Sequence, residues 1–467
     1  MRKLRYVVLA AACTCLAGVL SALALASSSA GGGHQHAKAA SHVSGDVRKM
    51  VHEVSADRIE NSINTLAGFG TRHTLSSQTD PNRGIGAATN WIYDQFQQYA
   101  AASNGRLTVE KQSFIQPPGP RNPGPVTVTN VIATLHGAQP ESANRVYLVS
   151  GHIDSRCTDV LDFTCDAPGA DDDASGVAAV LELARVMSKH SFDATIIFAT
   201  FAGEEQGTFG SIHFAQQAKA AGMNIAGMFS NDIIGSSLGQ NGVRDRRDVR
   251  LFAQGPWPDE TPQEAATRRT MGGENDTPPR ELARFMREAA QAAVPKMNVW
   301  IIYRRDRFLR GSDNGPFLDQ RYPAVRLTEP NEDYRHEHQN VRVENGVQFG
   351  DLAQFVDFGY TANVTRVNLA SLAALANGPA APQGVKVEAA TLTVDTTLEW
   401  QPNSEPDLAG YEIVYRDTTA PYWQHTIEVG NVTSYTVKGI TKDNFLFGVR
   451  AIDKDGNRSV VSFPVPK

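Results

Sequence analysis

Five short segments of this chain gather imidazole and carboxylate groups: His152-Ile153-Asp154, Asp171-Asp172-Asp173, Glu204-Glu205, Asp232, and the loop with His336 and His338. Imidazole nitrogen and carboxylate oxygen are the donors that zinc and harder divalent cations take. Singly, each segment has a plainer reading as a capped turn or an ordinary surface stretch. Their shared placement is harder to explain that way. Each is expected at the end of a strand, and in an open α/β sheet that carboxyl edge is where ligands bind.

The local spacing suggests a division of labour. Alternation after the apolar run VYLVSG puts His152 and Asp154 on one side, so His152 can ligate a metal while Asp154 receives its other ring N–H. Three successive aspartates repel one another, and a carboxylate shared between two cations would relieve the strain. One of the three is assigned to metal, with Asp173 or Ser175 suited to capping the next helix. Glu204 and Glu205 come directly after the run TIIFATFA, where neighbours point to opposite sides. One can then hold metal and the other address the attacking water.

The elements that must position these groups alternate between amphipathic helices (56–66, 87–101, 175–189, 350–376) and short apolar runs (146–150, 195–201, 228–232, 299–303, 324–327). That order predicts an α/β domain over 46–378, a mainly parallel doubly wound sheet with helices on both faces. Residues 239–279 carry Gly, Pro and many charges, and are expected as a surface insertion. After a break at 378–382 the period changes to two, at 398–400, 411–415, 435–437 and 445–451, which predicts a small all-β sandwich over 382–467. The spacing of Trp400, AGYEIVYR from Ala409 and FGVRAIDKDGNRS from Phe447 resembles a fibronectin type III domain, with Phe445 where that family often has tyrosine.

The amino terminus has the form of an export leader. Arg2, Lys3 and Arg5 precede an apolar run from Val7 and a small-residue cleavage site at Ala24-Leu25-Ala26, with a Ser-, Gly- and His-rich linker over 27–45 beyond it. Cleavage after residue 26 leaves no stable membrane span, a secreted or periplasmic product, and two cysteines, Cys157 and Cys165. An even pair in an oxidising compartment is expected as a disulfide. Losing the three basic residues takes the net charge from −6 to −9, which argues against nucleic acid as a partner.

Residues from about 46 to 376 resemble metallopeptidase family 28, the di-zinc aminopeptidases that include secreted bacterial leucine aminopeptidases. The resemblance rests on GHID at Gly151, APGADDDASG from Ala167, FAGEEQGTFGS from Phe201, Asp232, SDNGPF from Ser312 and YPAV at Tyr322. It implies two zinc ions, with His152 and Asp232 on one, Glu205 and a late histidine on the other, and Asp172 bridging them. It further implies Glu204 as general base, Asp154 behind the ligands, and peptide substrates hydrolysed from the N-terminus by a metal-bridging hydroxide. His336 is the chosen late histidine, with His338 as runner-up. Asn340 stands where the family usually has an aspartate four residues on, and Asn314 replaces a histidine of the SDH motif.

The same residues admit three rivals. A glutaminyl-cyclase-like enzyme would use one zinc, and a carboxypeptidase could grip a substrate carboxylate with Arg304, Arg305 and Arg307. An inert binding protein would leave polymer or cell-surface contact to the C-terminal domain. The acid-rich site is expected to favour a positive N-terminus over acidic substrates.

Overall fold

Strands that are apolar along their whole length must lie inside a sheet covered on both faces. Every residue of Arg145–His152 and of Thr195–Phe201 is buried. In the computed structural model, which describes residues 43–467, these two strands pair in parallel at the centre of an eight-stranded sheet. Its strands are β1 (Leu107–Gln116), β2 (Val126–Leu135), β3 (Arg145–His152), β4 (Thr195–Phe201), β5 (Asn224–Asn231), β6 (Asp248–Ala253), β7 (Asn298–Ile302) and β8 (Ala324–Thr328). Their order is β1-β2-β4-β3-β5-β8-β6-β7.

The sheet is mixed: four of its seven pairings are parallel, in keeping with the expected parallel character, and three are antiparallel. The central set β4-β3-β5-β8 is parallel, but β1 pairs antiparallel with β2, β2 with β4, and β6 with β8. Too few residues separate β1 from β2 for a crossover, so they must return as a hairpin. Being an edge strand, β1 exposes polar side chains and lacks the continuous apolar run that marked the inner strands.

Helices cover both faces, as the alternation implied. They are α1 (Gly45–His52), α2 (Ala56–Gly68), α3 (Ile85–Ala101), α4 (Ala174–Met187), α5 (Glu204–Gly207), α6 (Phe209–Ala220), α7 (Pro262–Met271), α8 (Pro278–Ala293), α9 (Asn314–Asp319) and α10 (Phe358–Asn377). Val177, Val180, Leu369 and Leu372 of α4 and α10 join the larger core on one face, and Phe214 and Phe317 of α6 and α9 pack on the other. Helix α10 starts later than predicted because Asp357 caps it, accepting from Tyr360 N. The segment expected as an insertion contains β6 and α7. The latter is nucleated by a capping box in which Thr261 and Glu264 each satisfy the other's backbone, with Pro262 in its first turn.

Beyond the break, β11 (Lys386–Val387), β12 (Thr396–Glu399), β15 (Ser434–Val437) and β17 (Val465–Pro466) form one sheet. A second contains β13 (Leu408–Asp417), β14 (His425–Gly430) and β16 (Phe445–Asp453). Leu398, Trp400, Tyr411, Ile413, Phe447 and Val449 fill the space between the sheets. This module is clamped to the α/β body by buried charge: Asp276 accepts from Arg284 at 2.9 Å and from Arg416 at 2.6 Å, while Trp423 Nε1 donates to Glu281 at 2.9 Å. At the junction Arg145 pairs with Glu405 at 3.2 Å and donates to Gly378 O at 2.5 Å.

The leader over 1–26 and most of the 27–45 linker lie outside the described residues. Residues 43–45, expected at the linker's end, already belong to the folded body: Val43 is buried and Ser44 caps α1. Among the described residues no helix is long and apolar enough to cross a membrane.

Candidate metal centre

His152 ends β3, Glu205 lies in α5 just beyond β4, and Asp232 comes directly after β5. Asp172 stands in the turn before α4. His338 lies in the loop between β8 and the small hairpin of β9 (Arg342–Glu344) and β10 (Val347–Phe349). All therefore meet at the carboxyl edge of the parallel strands. They form two groups, His152–Asp172–Asp232 and Asp172–Glu205–His338, whose donor atoms lie within 4.8 Å of one another. Asp172 belongs to both, with Oδ1 3.0 Å from His152 Nε2 and Oδ2 2.9 Å from His338 Nε2. Asp232 Oδ1 is 3.9 Å from His152 Nε2, and Glu205 Oε2 is 3.1 Å from His338 Nε2.

The structure thus brings together His152, Asp172, Glu205 and Asp232, but not His336. That ring stacks on Phe355 at 3.6 Å between centroids, with Nδ1 3.7 Å from Asp333, and lines a separate cavity with Ser237 and Arg246. The tight turns over 333–337 send the two histidines to different sides. His338 itself adopts a left-handed backbone, φ 49°, that a non-glycine residue rarely takes. His338 therefore replaces His336 as the late histidine of the cluster.

The donor set fits zinc. His152 Nδ1 lies 3.0 Å from the Asp154 carbonyl, which accepts its proton and turns Nε2 towards Asp172 and Asp232, where a cation would take the place of the Nε2 proton. Glu205 Oε1 is buried without a hydrogen-bond partner. Such an orphan beside two other buried carboxylates is costly unless a cation compensates it. Burial pushes the Asp172 carboxyl up, but hydrogen bonds from His152 and His338 hold it well below the ordinary range, ready as an anion.

The other aspartates of the triplet are occupied elsewhere. Asp173 caps α4 through Gly176 N at 2.9 Å and accepts from His152 N at 2.9 Å. Asp171 accepts from Gly235 N at 2.7 Å.

Asp154 has a different task from the one expected. Its main-chain oxygen takes the His152 ring proton at 3.0 Å, while its carboxylate Oδ1 stands back at 3.8 Å from the same Nδ1. The carboxylate accepts from the N–H groups of Gly203, Glu204 and Glu205 at 2.8, 3.1 and 2.9 Å, and so fixes the turn that presents both glutamates. Glu204 and Glu205 diverge from the first turn of a short helix rather than from a strand end. Glu204 is half-buried in the cleft. Burial raises its carboxyl well above the usual range, and the charges of Asp232, Glu205 and Asp313 reinforce the shift against His152.

Several residues behind the ligands were missed from sequence. Arg326, fully buried, pairs with Asp232 Oδ1 at 2.8 Å, and Ser312 donates to Asp232 Oδ2 at 2.5 Å. A cation inside the apolar strand AVRLT was the one signal for it. Asp351 accepts from Asp172 N at 2.7 Å, and Arg156 Nε donates to Glu205 Oε2 at 2.9 Å. Asn314, of the SDN departure, is buried and donates to Arg305 O at 3.1 Å. Asn340 accepts from Thr158 N and donates its own N–H to Thr158 Oγ1, at 3.0 and 3.2 Å. These two bonds brace the His338 loop against the Cys157–Cys165 loop, where the expected disulfide is formed.

Comparison with known proteins agrees with a metal-dependent hydrolase built on this crevice. Residues 130–345 match Peptidase family M28. A probable zinc metalloprotease of Pyrenophora teres f. teres is 50% identical over 90% of this chain and 87% of its own length. One from Leptosphaeria maculans is 49% identical over 90% of this chain and 97% of its own. The fold is shared with the LapA aminopeptidase of Legionella pneumophila, at 18% identity and a TM-score of 0.50 over 71% of this chain and 72% of that one. The chain belongs to peptidase family M28 and is a zinc metallopeptidase acting on peptides.

Proposed function

We propose that the chain is an exported aminopeptidase that works with two zinc ions. The observation that carries this reading is Asp172, whose two oxygens face two separate ligand groups beside Glu204. His152, Asp232 and Asp172 would hold one ion, and Asp172, Glu205 and His338 the other. When bound, zinc polarises a scissile carbonyl and makes water a readier proton donor. Glu204 takes the proton of the attacking water and returns it to the departing amine. Asp154 holds Glu204 and Glu205 in register through their main-chain N–H groups.

The arginines that suggested a carboxypeptidase already have partners. Arg305 pairs with Asp319 at 2.7 Å and Arg307 with Glu332 at 3.2 Å, while Arg304 lies over the Phe308 ring at 5.4 Å. Export is supported by the leader-like first 26 residues and by the disulfide. The C-terminal sandwich is taken as fibronectin type III-like on its Trp400–Tyr411 core pair, 5.3 Å between rings. A panel of aminoacyl nitroanilides, with their N-acetylated counterparts and with zinc content measured, tests the reading. Release from free-amine substrates only, at two zinc per chain, is the expected result. Equal cleavage of acetylated substrates would exclude an aminopeptidase, and full activity at one zinc would exclude the two-ion centre.

A further inference from the structure

The cleft over the candidate centre encloses about 630 Å³ and is lined by four arginines, Arg121, Arg156, Arg307 and Arg310. Three are neutralised by carboxylates. Arg307 and Arg310 share Glu332 at 3.2 and 2.7 Å, Arg310 also reaches Glu337 at 2.8 Å, and Arg156 sits on Glu205. Arg121 is different. It is exposed, and its one hydrogen bond among the described residues runs from Nη1 to the main-chain oxygen of Glu205, at 2.8 Å. A carbonyl does not neutralise a guanidinium, and the rest of the fork is left for a ligand.

The loop that carries Arg121 is built to hold still. Asn122 is fully buried, and its Nδ2 donates to Pro117 O at 2.8 Å and Gly124 O at 3.3 Å. Gly119 and Asn122 also exchange main-chain hydrogen bonds at 2.9 and 3.2 Å. The result is a pre-placed cationic fork beside Glu205, inside the cleft. The four arginines are set against Asp172, Glu204, Glu205, Asp232 and Glu337 in the lining. Two divalent cations on the ligand carboxylates would turn that near balance positive, opposite to the preference for positive substrates expected from the acid-rich sequence.

We propose that Arg121 binds a carboxylate of the peptide substrate and so determines specificity. This rests on the aminopeptidase reading and adds the substrate class to it. The carboxylate has two sources, the C-terminus of a short peptide or an acidic side chain. A planar fork meets either with paired, charge-assisted hydrogen bonds.

Binding without turnover tests the proposal. Full-length, zinc-loaded Glu204→Gln protein is titrated calorimetrically with Leu-Gly-Gly and its C-terminal amide, and with the amides of Glu-Gly-Gly and Leu-Gly-Gly. The carboxylate-bearing member of one pair should bind about tenfold tighter, and that pair identifies the source. Adding Arg121→Gln should bring the ratio towards one, whereas Arg121→Lys should keep part of it. Equal affinities in both pairs, or a ratio unchanged by Arg121→Gln, would overturn the proposal. Hydrolysis of Leu-Gly-Gly amide by the wild-type protein is scored separately. Its absence would count against the aminopeptidase reading and leave the binding ratios to decide the role of Arg121.

Discussion

Arg156 Nη2 lies 2.7 Å from His338 Nδ1. An arginine can only donate, so this contact puts the imidazole lone pair on Nδ1 and the proton on Nε2, towards Asp172 and Glu205. His152 is arranged differently: its Nδ1 donates to the Asp154 carbonyl at 3.0 Å, the proton position that metal ligation through Nε2 requires, and its Nε2 faces Asp172 Oδ1 at 3.0 Å. The two halves of the centre are therefore unequal. A cation would displace an Nε2 proton in either half, but only at His338 must an arginine also be turned aside.

Zinc should accordingly bind in two steps, with dissociation constants ~10- to 100-fold apart, the range that partners behind metal ligands commonly control. Competition with a graded chelator, combined with metal analysis, should show one equivalent leaving first. Arg156→Met should narrow the gap. Two steps of equal affinity in the wild type would show that the Arg156 contact has no bearing on metal binding.

The two neighbouring glutamates should fail in different ways. Glu204→Gln keeps shape but cannot accept a proton, so turnover should drop by roughly 10² to 10⁴ while zinc content and melting temperature stay near wild type. Glu205→Gln should lose one zinc and regain activity in excess metal. If Glu204→Gln lost zinc and Glu205→Gln kept it, their roles would have to be exchanged.

For the late histidines, His338→Ala should remove one zinc equivalent. His336→Ala should retain both, because its ring stacks on Phe355 in a separate cavity. Metal analysis of the two purified variants decides between them, and loss of zinc from His336→Ala would restore the other assignment.

Stability should depend on pH at the seam between the body and the C-terminal module. Burial, then the charges of Asp407 and Asp453, raise Asp193 from 3.8 to about 6. Between those values the folded chain binds the proton more tightly than the unfolded one. Stability from this group is therefore present below about pH 4 and lost as pH rises through 6. Asp193→Asn should raise the melting temperature at pH 7.5 and change it little at pH 4. An equal shift at both pH values would contradict this.

Much of the centre was legible because it depends on order along the chain. Parallel strands deliver their ends to one edge, so His152, Glu205 and Asp232 could be placed from the apolar runs that lead into them. The loop histidine could not, because no period governs side-chain direction in a turn, and a left-handed residue at 338 reverses it. Asp154 shows the same limit at finer scale. Alternation gave its side, but not that its carboxylate would be taken by three main-chain N–H groups. The missed strands β1, β2 and β6 lacked an uninterrupted apolar stretch, and Arg326 joined the cluster only through tertiary pairing.

The junction at Gly378 has a consequence for how the protein can be used. Arg145 holds the Gly378 carbonyl and Glu405, Glu405 in turn accepts from Ala380 N at 2.6 Å, and Asp276 is shared between helices of the body and Arg416 of the module. A tether needs slack, and this one has none. The module works as a bracket: every point on it sits at a constant offset from the catalytic crevice. Replacing it with an unrelated carbohydrate- or surface-binding cassette would expose Asp276 and Arg284 rather than redirect an otherwise intact enzyme.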